Sequence, residues 1–233
     1  MSGTDNLEGF HAAACTRANN EPDTIFFAQR LPDSLMDMGA RTAVTALYQT
    51  TLPVGGRVLD LMGGSMSHFP TEAAFQDVVG LDVSKAALDA NPAFDERVVQ
   101  DLNDVPELPF EDESFDAVCL CDGLAYLTRP LTVLGEVVRV LKPGAPLIVT
   151  FSDQFHAPKA VAMWQALEPS DRGRLVSVLM SRAGLVELDT GEVGPPEDLT
   201  AWQDTVHAVV GRRPETGSGS CREGGEISLV SAS

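Results

Sequence analysis

The chain has 233 residues, an ordinary hydrophobic content of 44% and a formal net charge of −18. That length and composition suit one substantial α/β domain with its own core. With 16 Lys and Arg against 34 Asp and Glu, the chain lacks the cationic surface that nucleic-acid backbones demand. No apolar run approaches the roughly 20 residues of a membrane span, and the polar, acidic start MSGTDNLEGF is unlike a secretory signal. The expectation is a cytoplasmic protein with no membrane or nucleic-acid partner, its oligomeric state open. Lysine is scarce (Lys85, Lys142 and Lys159), which fits a salt-rich cytoplasm or GC-rich coding, the plainer reading being a soluble acidic surface. Cys15, Cys119, Cys121 and Cys221 show no metal-ligand spacing. Cys119 and Cys121 fall on one face of a strand and read as core filler.

Residues 1–30 have no periodicity and read as an N-terminal arm, with room for a short helix at its end. From Pro32 the spacing of Leu35, Met36, Ala40, Val44, Leu47 and Tyr48 predicts a helix, stopped by Pro53 and Gly55-Gly56. Residues 57–62 read as a first strand, 66–75 as a helix and 78–83 as a second strand. Ser84 then caps a helix over 85–90. Strands follow over 98–102, 115–121 and 146–151. A polar loop, 122–129, and a helix, 130–141, lie between the last two, and Lys142-Pro143-Gly144 closes that helix. Such alternation predicts parallel strands joined by right-handed crossovers with helices on both faces, and the near-continuous apolar runs fit strands covered on both sides. Residues 158–167 and 171–183 read as helices, the second ended by Gly184. Residues 185–193 and 202–212 read as strands whose short connection makes them antiparallel. One domain over 31–213 and a flexible tail over 214–233 complete the expected organisation.

Ligands of open α/β sheets bind at the carboxyl ends of the strands, near the point where strand order reverses. The first strand runs into Asp60-Leu61-Met62-Gly63-Gly64-Ser65-Met66-Ser67-His68. Glycine there either lets a ligand approach the backbone, with the next helix presenting its N–H groups, or simply makes a tight turn. Asp82 closes the second strand, where a carboxylate either accepts the hydroxyls of a ribose or caps the following helix. Asp101-Leu102 closes the third, as a purine contact or as a surface strand end.

The segments VLDLMGG, VVGLDVS, VVQDLNDVPELPFEDESFDAV and VVRVLKPGAPLIVTFS, in this order, resemble the successive motifs of class I S-adenosylmethionine-dependent methyltransferases, in particular the type 11 methyltransferase domain. The resemblance implies a Rossmann-like doubly wound sheet of five parallel strands finished by an antiparallel pair. It implies S-adenosyl-L-methionine as cofactor and a small-molecule acceptor. It also implies that Asp60, Gly63 and Gly64 line the methionine part of the cofactor, Asp82 the ribose, Asp101 and Leu102 the adenine, and Cys121, Asp122 and Gly123 the face near the sulfonium, with Ser65 and Val83 as further cofactor contacts.

The chain departs from the family's glycine loop, whose spacing would put glycine at 62, 64 and 66; only Gly64 complies, while Met62 and Met66 stand at the others. Methyl transfer from an activated sulfonium needs alignment and exclusion of water, and a base only where the acceptor must lose a proton. His156, Asp122 and Tyr126 are the catalytic candidates by position. Tyr126 also reads as packing over the cofactor, His68 as a capping or packing residue, and Asp153 as a further strand-end carboxylate. No metal-ligand pattern appears. Met163, Trp164 and Leu167 form a stripe that is either core or acceptor pocket. Two other functions fit part of the sequence. The lost glycines suit a non-catalytic relative acting through a partner. Asp82 also suits a nicotinamide-dependent oxidoreductase, although the spacing G-x-G-x-x-G is missing.

Overall fold

The computed structural model describes residues 11, 13–27, 35–196 and 202–215. Its seven strands are β1 (Arg57–Leu61), β2 (Asp77–Asp82), β3 (Glu96–Val99), β4 (Ala117–Cys121), β5 (Pro146–Ser152), β6 (Val186–Val193) and β7 (Val206–Arg212). They form one sheet in the order β3-β2-β1-β4-β5-β7-β6. β1 to β5 are parallel to their neighbours, and β7 runs antiparallel to both β5 and β6. This is the expected doubly wound sheet with an antiparallel end. Strand order reverses between β1 and β4, which opens a crevice at the carboxyl edge of the sheet.

The two-residue period of the strands divides the core. Leu59, Leu61, Val118, Leu120, Leu147 and Val149 face α4 (Pro130–Val140) and α6 (Pro169–Ala183). Val58, Ala117, Cys119 and Ile148 face α2 (Met38–Thr51) through Ala40, Val44 and Tyr48. The predicted Ser84 cap is present, its Oγ accepting the Ala87 N–H at 3.3 Å at the start of α3 (Lys85–Ala90). Gly184 ends α6 at φ 103. α2 begins later than its apolar pattern, because Asp37 caps it by accepting the Ala40 N–H at 2.9 Å. Two short α-helices, α1 (Asp23–Phe26) and α5 (Ala162–Gln165), and one 3-10 turn over Leu124–Tyr126 remain. No helix among the described residues is long and apolar enough to cross a membrane.

Three expectations are corrected. Residues 66–75 are not helical: β1 leads into an irregular loop that returns directly to β2. Pro70 explains this, since it disfavours helical backbone at Phe69 and has no N–H to donate. Phe69 turns inward between Tyr48 and Phe75, with ring centroids at 5.7 and 5.4 Å. The helix over 158–167 shrinks to α5, because its first N–H groups are claimed by the N-terminal arm: Ala162 donates to the Thr16 carbonyl and Met163 to that of Ala14, each at 2.8 Å. β3 lies two residues earlier than its apolar pattern suggested; on this mostly exposed edge strand, pairing with β2 sets the limits. Most of the tail, with Cys221, lies outside the described residues.

Candidate functional site

The crevice between the carboxyl ends of β1, β2 and β4 is a cleft of about 940 Å³, its open mouth included. Of the residues expected there, Asp60, Gly63, Gly64, Ser65, Asp82, Val83, Cys121, Asp122, Gly123, Tyr126 and His156 all line it. Asp101 and Leu102 do not: Leu102 is buried in the main core, and Asp101 sits in a turn where it accepts the Asn103 N–H at 2.9 Å. Asp153 lies away from the cleft with His207 Nε2 at 3.6 Å. The Met163, Trp164 and Leu167 stripe is core packing, Trp164 meeting Phe151 edge-on at 4.9 Å.

The loop after β1 is tied down by side chains where a helix was expected. Ser67 Oγ donates to Asp60 Oδ2 at 2.6 Å. Asn91 Nδ2 donates to Ser67 Oγ at 3.0 Å and to the Gly64 carbonyl at 3.3 Å. The Gly64 N–H reaches Asp82 Oδ2 at 3.2 Å, while Asp82 Oδ1 takes the Ser84 N–H at 2.7 Å. Gly63 has no room for a side chain: a Cβ there would stand 2.7 Å from the Asp60 carboxyl. Met62 resolves the departure from the glycine pattern, because its φ of 58° matches the 59° of Gly64. A methionine thus adopts the left-handed turn that glycine usually supplies. Its thioether lies along β4's end, where a Cβ on Gly123 would come within 2.9 Å of Met62 Sδ.

Burial governs the titratable groups. It raises the Asp60 carboxyl to about 7, against the Ser67 hydrogen bond and with help from Asp82. Burial also raises the Asp82 carboxyl, against the Ser84 and Gly64 N–H groups that bond it. Asp122, at φ 54° on the turn after β4, is raised to about 7 by burial and by Asp204, although Ser152 N–H bonds it at 3.1 Å. Burial pushes the Cys121 thiol well above its ordinary value, which makes it a poor nucleophile. His68 lines the cleft with its pKa lowered to about 4 by burial and by Arg41, so it is neutral. Burial also raises Tyr126, whose Oη accepts the His156 N–H at 2.9 Å; its phenol keeps its proton.

Phe27, Leu35, Met62, Met66, His68, Ser84 and Ala87 complete the lining. Of these, Phe27 carried no signal in the sequence: the arm lacks periodicity and reaches the cleft only through long-range contacts. Among the described residues no group of His, Cys, Asp and Glu is arranged to hold a metal ion.

Residues 59–149 match the model of a methyltransferase domain. The chain is 32% identical over 171 residues to a demethylmenaquinone methyltransferase of Clavibacter sepedonicus, covering 68% of this chain and 64% of that protein. It is 31% identical over 155 residues to the protein of that name from Paenarthrobacter aurescens, covering 66% and 59%. It thus spans a little under two thirds of the length of these relatives. Among solved structures it is similar to a chain from a complex of the Haloferax volcanii Trm112 methyltransferase activator, with a TM-score of 0.61, 20% identity and coverage of 84% of this chain and 100% of that one. Carrying this sheet order and the matched segments, the chain belongs to the class I S-adenosylmethionine-dependent methyltransferase family.

Proposed function

We propose that this protein transfers a methyl group from S-adenosylmethionine to a small apolar acceptor. The observation that carries the reading is the convergence of Asp60, Asp82 and Asp122 on one cleft at the point where strand order reverses. The residues present fit the cofactor. Asp82 spends one lone pair per oxygen on N–H groups, so each oxygen can still accept a ribose hydroxyl. Gly64 shows bare backbone to open space, with no atom within 4 Å of where its Cβ would stand. Asp60 and Asp122 supply negative charge beside a cationic ligand, for whose ammonium and sulfonium they are suited. When bound, S-adenosylmethionine supplies a methyl group already activated by a positive sulfur.

The chain's own residues then orient and desolvate. Asp60 and Gly63-Gly64 hold the amino-acid end, Asp82 and Val83 the ribose, and Cys121 to Gly123 the wall nearest the reacting centre. Asp122, its pKa raised to about 7 by burial, accepts a proton in its ionised form where the acceptor must lose one. His156 and Tyr126 shape the acceptor side. The curated relatives named for demethylmenaquinone support an apolar acceptor and make that compound, in its reduced form, the first to assay. Transfer of radiolabelled methyl from S-adenosylmethionine into the organic-extractable product, abolished in Asp122→Ala and Asp82→Ala, is the expected result. No transfer to this or a panel of neutral apolar acceptors by protein that binds the cofactor would contradict it.

A further inference from the structure

We propose that two residues preceding α2 serve the acceptor site, Asp23 as a positioning residue and Phe27 as the specificity-determining wall. The proposal rests on the methyltransferase reading above.

Asp23 is only 4% exposed. It accepts from Lys159 Nζ at 2.7 Å, from Arg17 Nη1 at 2.8 Å and from Asn103 Nδ2 at 2.8 Å. Lys159 has no exposed surface at all, donates also to the Glu21 carbonyl, and stands 5.0 Å from the centroid of the Phe26 ring. Its partners come from separate parts of the rim. Asn103 follows β3 and also holds the Tyr126 carbonyl at 3.0 Å. Lys159 sits in the turn whose N–H groups return to the His156 carbonyl. One buried carboxylate therefore fixes the arm against both segments that carry the acceptor-side candidates. A buried ion cluster contributes little net stability over an apolar replacement. What it does supply here is one geometry.

That geometry sets Phe27. Its N–H donates to the Asp23 carbonyl at 2.9 Å, and its ring meets Tyr126 at 5.7 Å and His156 at 6.1 Å, while those two rings lie 6.3 Å apart. Rings this close touch one another. They leave no hollow between them for an enclosed ammonium, which needs aromatic faces on opposite sides at up to about 6 Å each. They form instead a continuous aromatic wall at the cleft, suited to the flat face or edge of an acceptor ring.

The test is calorimetric titration of protein loaded with S-adenosylhomocysteine, using 1-naphthol as a planar probe, with cyclohexanol and tetramethylammonium beside it. We expect 1-naphthol to bind best, Phe27→Ala to weaken it about tenfold, and Phe27→Tyr to stay within about threefold of wild type. Asp23→Asn should weaken 1-naphthol about fivefold and leave S-adenosylhomocysteine affinity within about twofold. Asp23→Glu should recover part of the loss. No 1-naphthol binding, preference for tetramethylammonium, or unchanged binding in Phe27→Ala would overturn the proposal. Equal loss of both ligands in Asp23→Asn would also overturn it, since that is what general loosening gives. If wild type bound no S-adenosylhomocysteine, the methyltransferase reading itself would fall, and this proposal with it.

Discussion

Ser67 donates a 2.6 Å hydrogen bond to the buried carboxyl of Asp60, and with the Asn91 and Asp82 bonds it anchors the loop that replaces the expected helix after β1. The carboxyl is still raised to about 7 from 3.8 because burial outweighs the bond. The folded protein therefore binds that proton more tightly than the unfolded chain does. Stability from this group is greatest at acid pH and falls as pH rises from about 4 to about 7, by an amount on the order of 4 kcal/mol. Asp60→Asn should flatten that slope in denaturant unfolding of the ligand-free protein and be the more stable form at pH 8, with a residual slope from Asp122.

Gly63→Ala should be far more damaging than its size suggests. Its Cβ would stand 2.7 Å from the Asp60 carboxyl and 2.9 Å from the Phe94 ring. Overpacking of this kind costs about 1–3 kcal/mol. Affinity for S-adenosylhomocysteine should fall more than tenfold, measured by calorimetry with unfolding curves run in parallel.

Met62 holds a left-handed backbone at φ 58°, which costs about 1–2 kcal/mol in a residue with a Cβ. Met62→Gly relieves that strain and loses the packing of the thioether near Gly123, so its stability should lie within about 1 kcal/mol of wild type. Met62→Val keeps the strain and adds β-branching; it should lose about 2 kcal/mol or more. Equal behaviour of the two variants would show that the turn tolerates any side chain.

Lys159→Met leaves Asp23 buried without its closest cation, which should cost about 3–5 kcal/mol in denaturant unfolding. Removing the carboxylate as well, in Asp23→Leu/Lys159→Met, should restore part of it, Arg17 then being the cation left without its carboxylate. Burial alone would raise the Asp23 carboxyl, but bonds from Lys159, Arg17 and Asn103 bring it below its ordinary value. The stability it contributes is present above pH 4 and lost as pH falls further.

Most of the scaffold was legible in the sequence because it rests on local pattern. Apolar runs ending in Asp60 and Asp82, the Ser84 cap and the Gly184 stop each follow from residues a few positions apart. Together with the family resemblance, they put eleven of the expected site residues on the observed cleft. What escaped depends on one proline, itself local, and on contacts distant in sequence. The loop at 66–75 shows a helix-compatible composition, and only Pro70 and the inward turn of Phe69 decide against it. The arm shows no period at all, yet Asp23 finds Lys159 across 136 positions. Asp101 and Leu102 were placed by analogy with strand ends, and the early end of β3 at Val99 leaves them in the following turn.

Asp82 and its neighbours should form a cofactor site despite the missing glycines. Calorimetric titration of wild type and Asp82→Ala with S-adenosylhomocysteine tests it most directly. Micromolar binding to wild type and at least tenfold weaker binding to the variant, at low and high salt, are expected. Absence of binding to a folded wild type, or equal binding by both proteins, would contradict it.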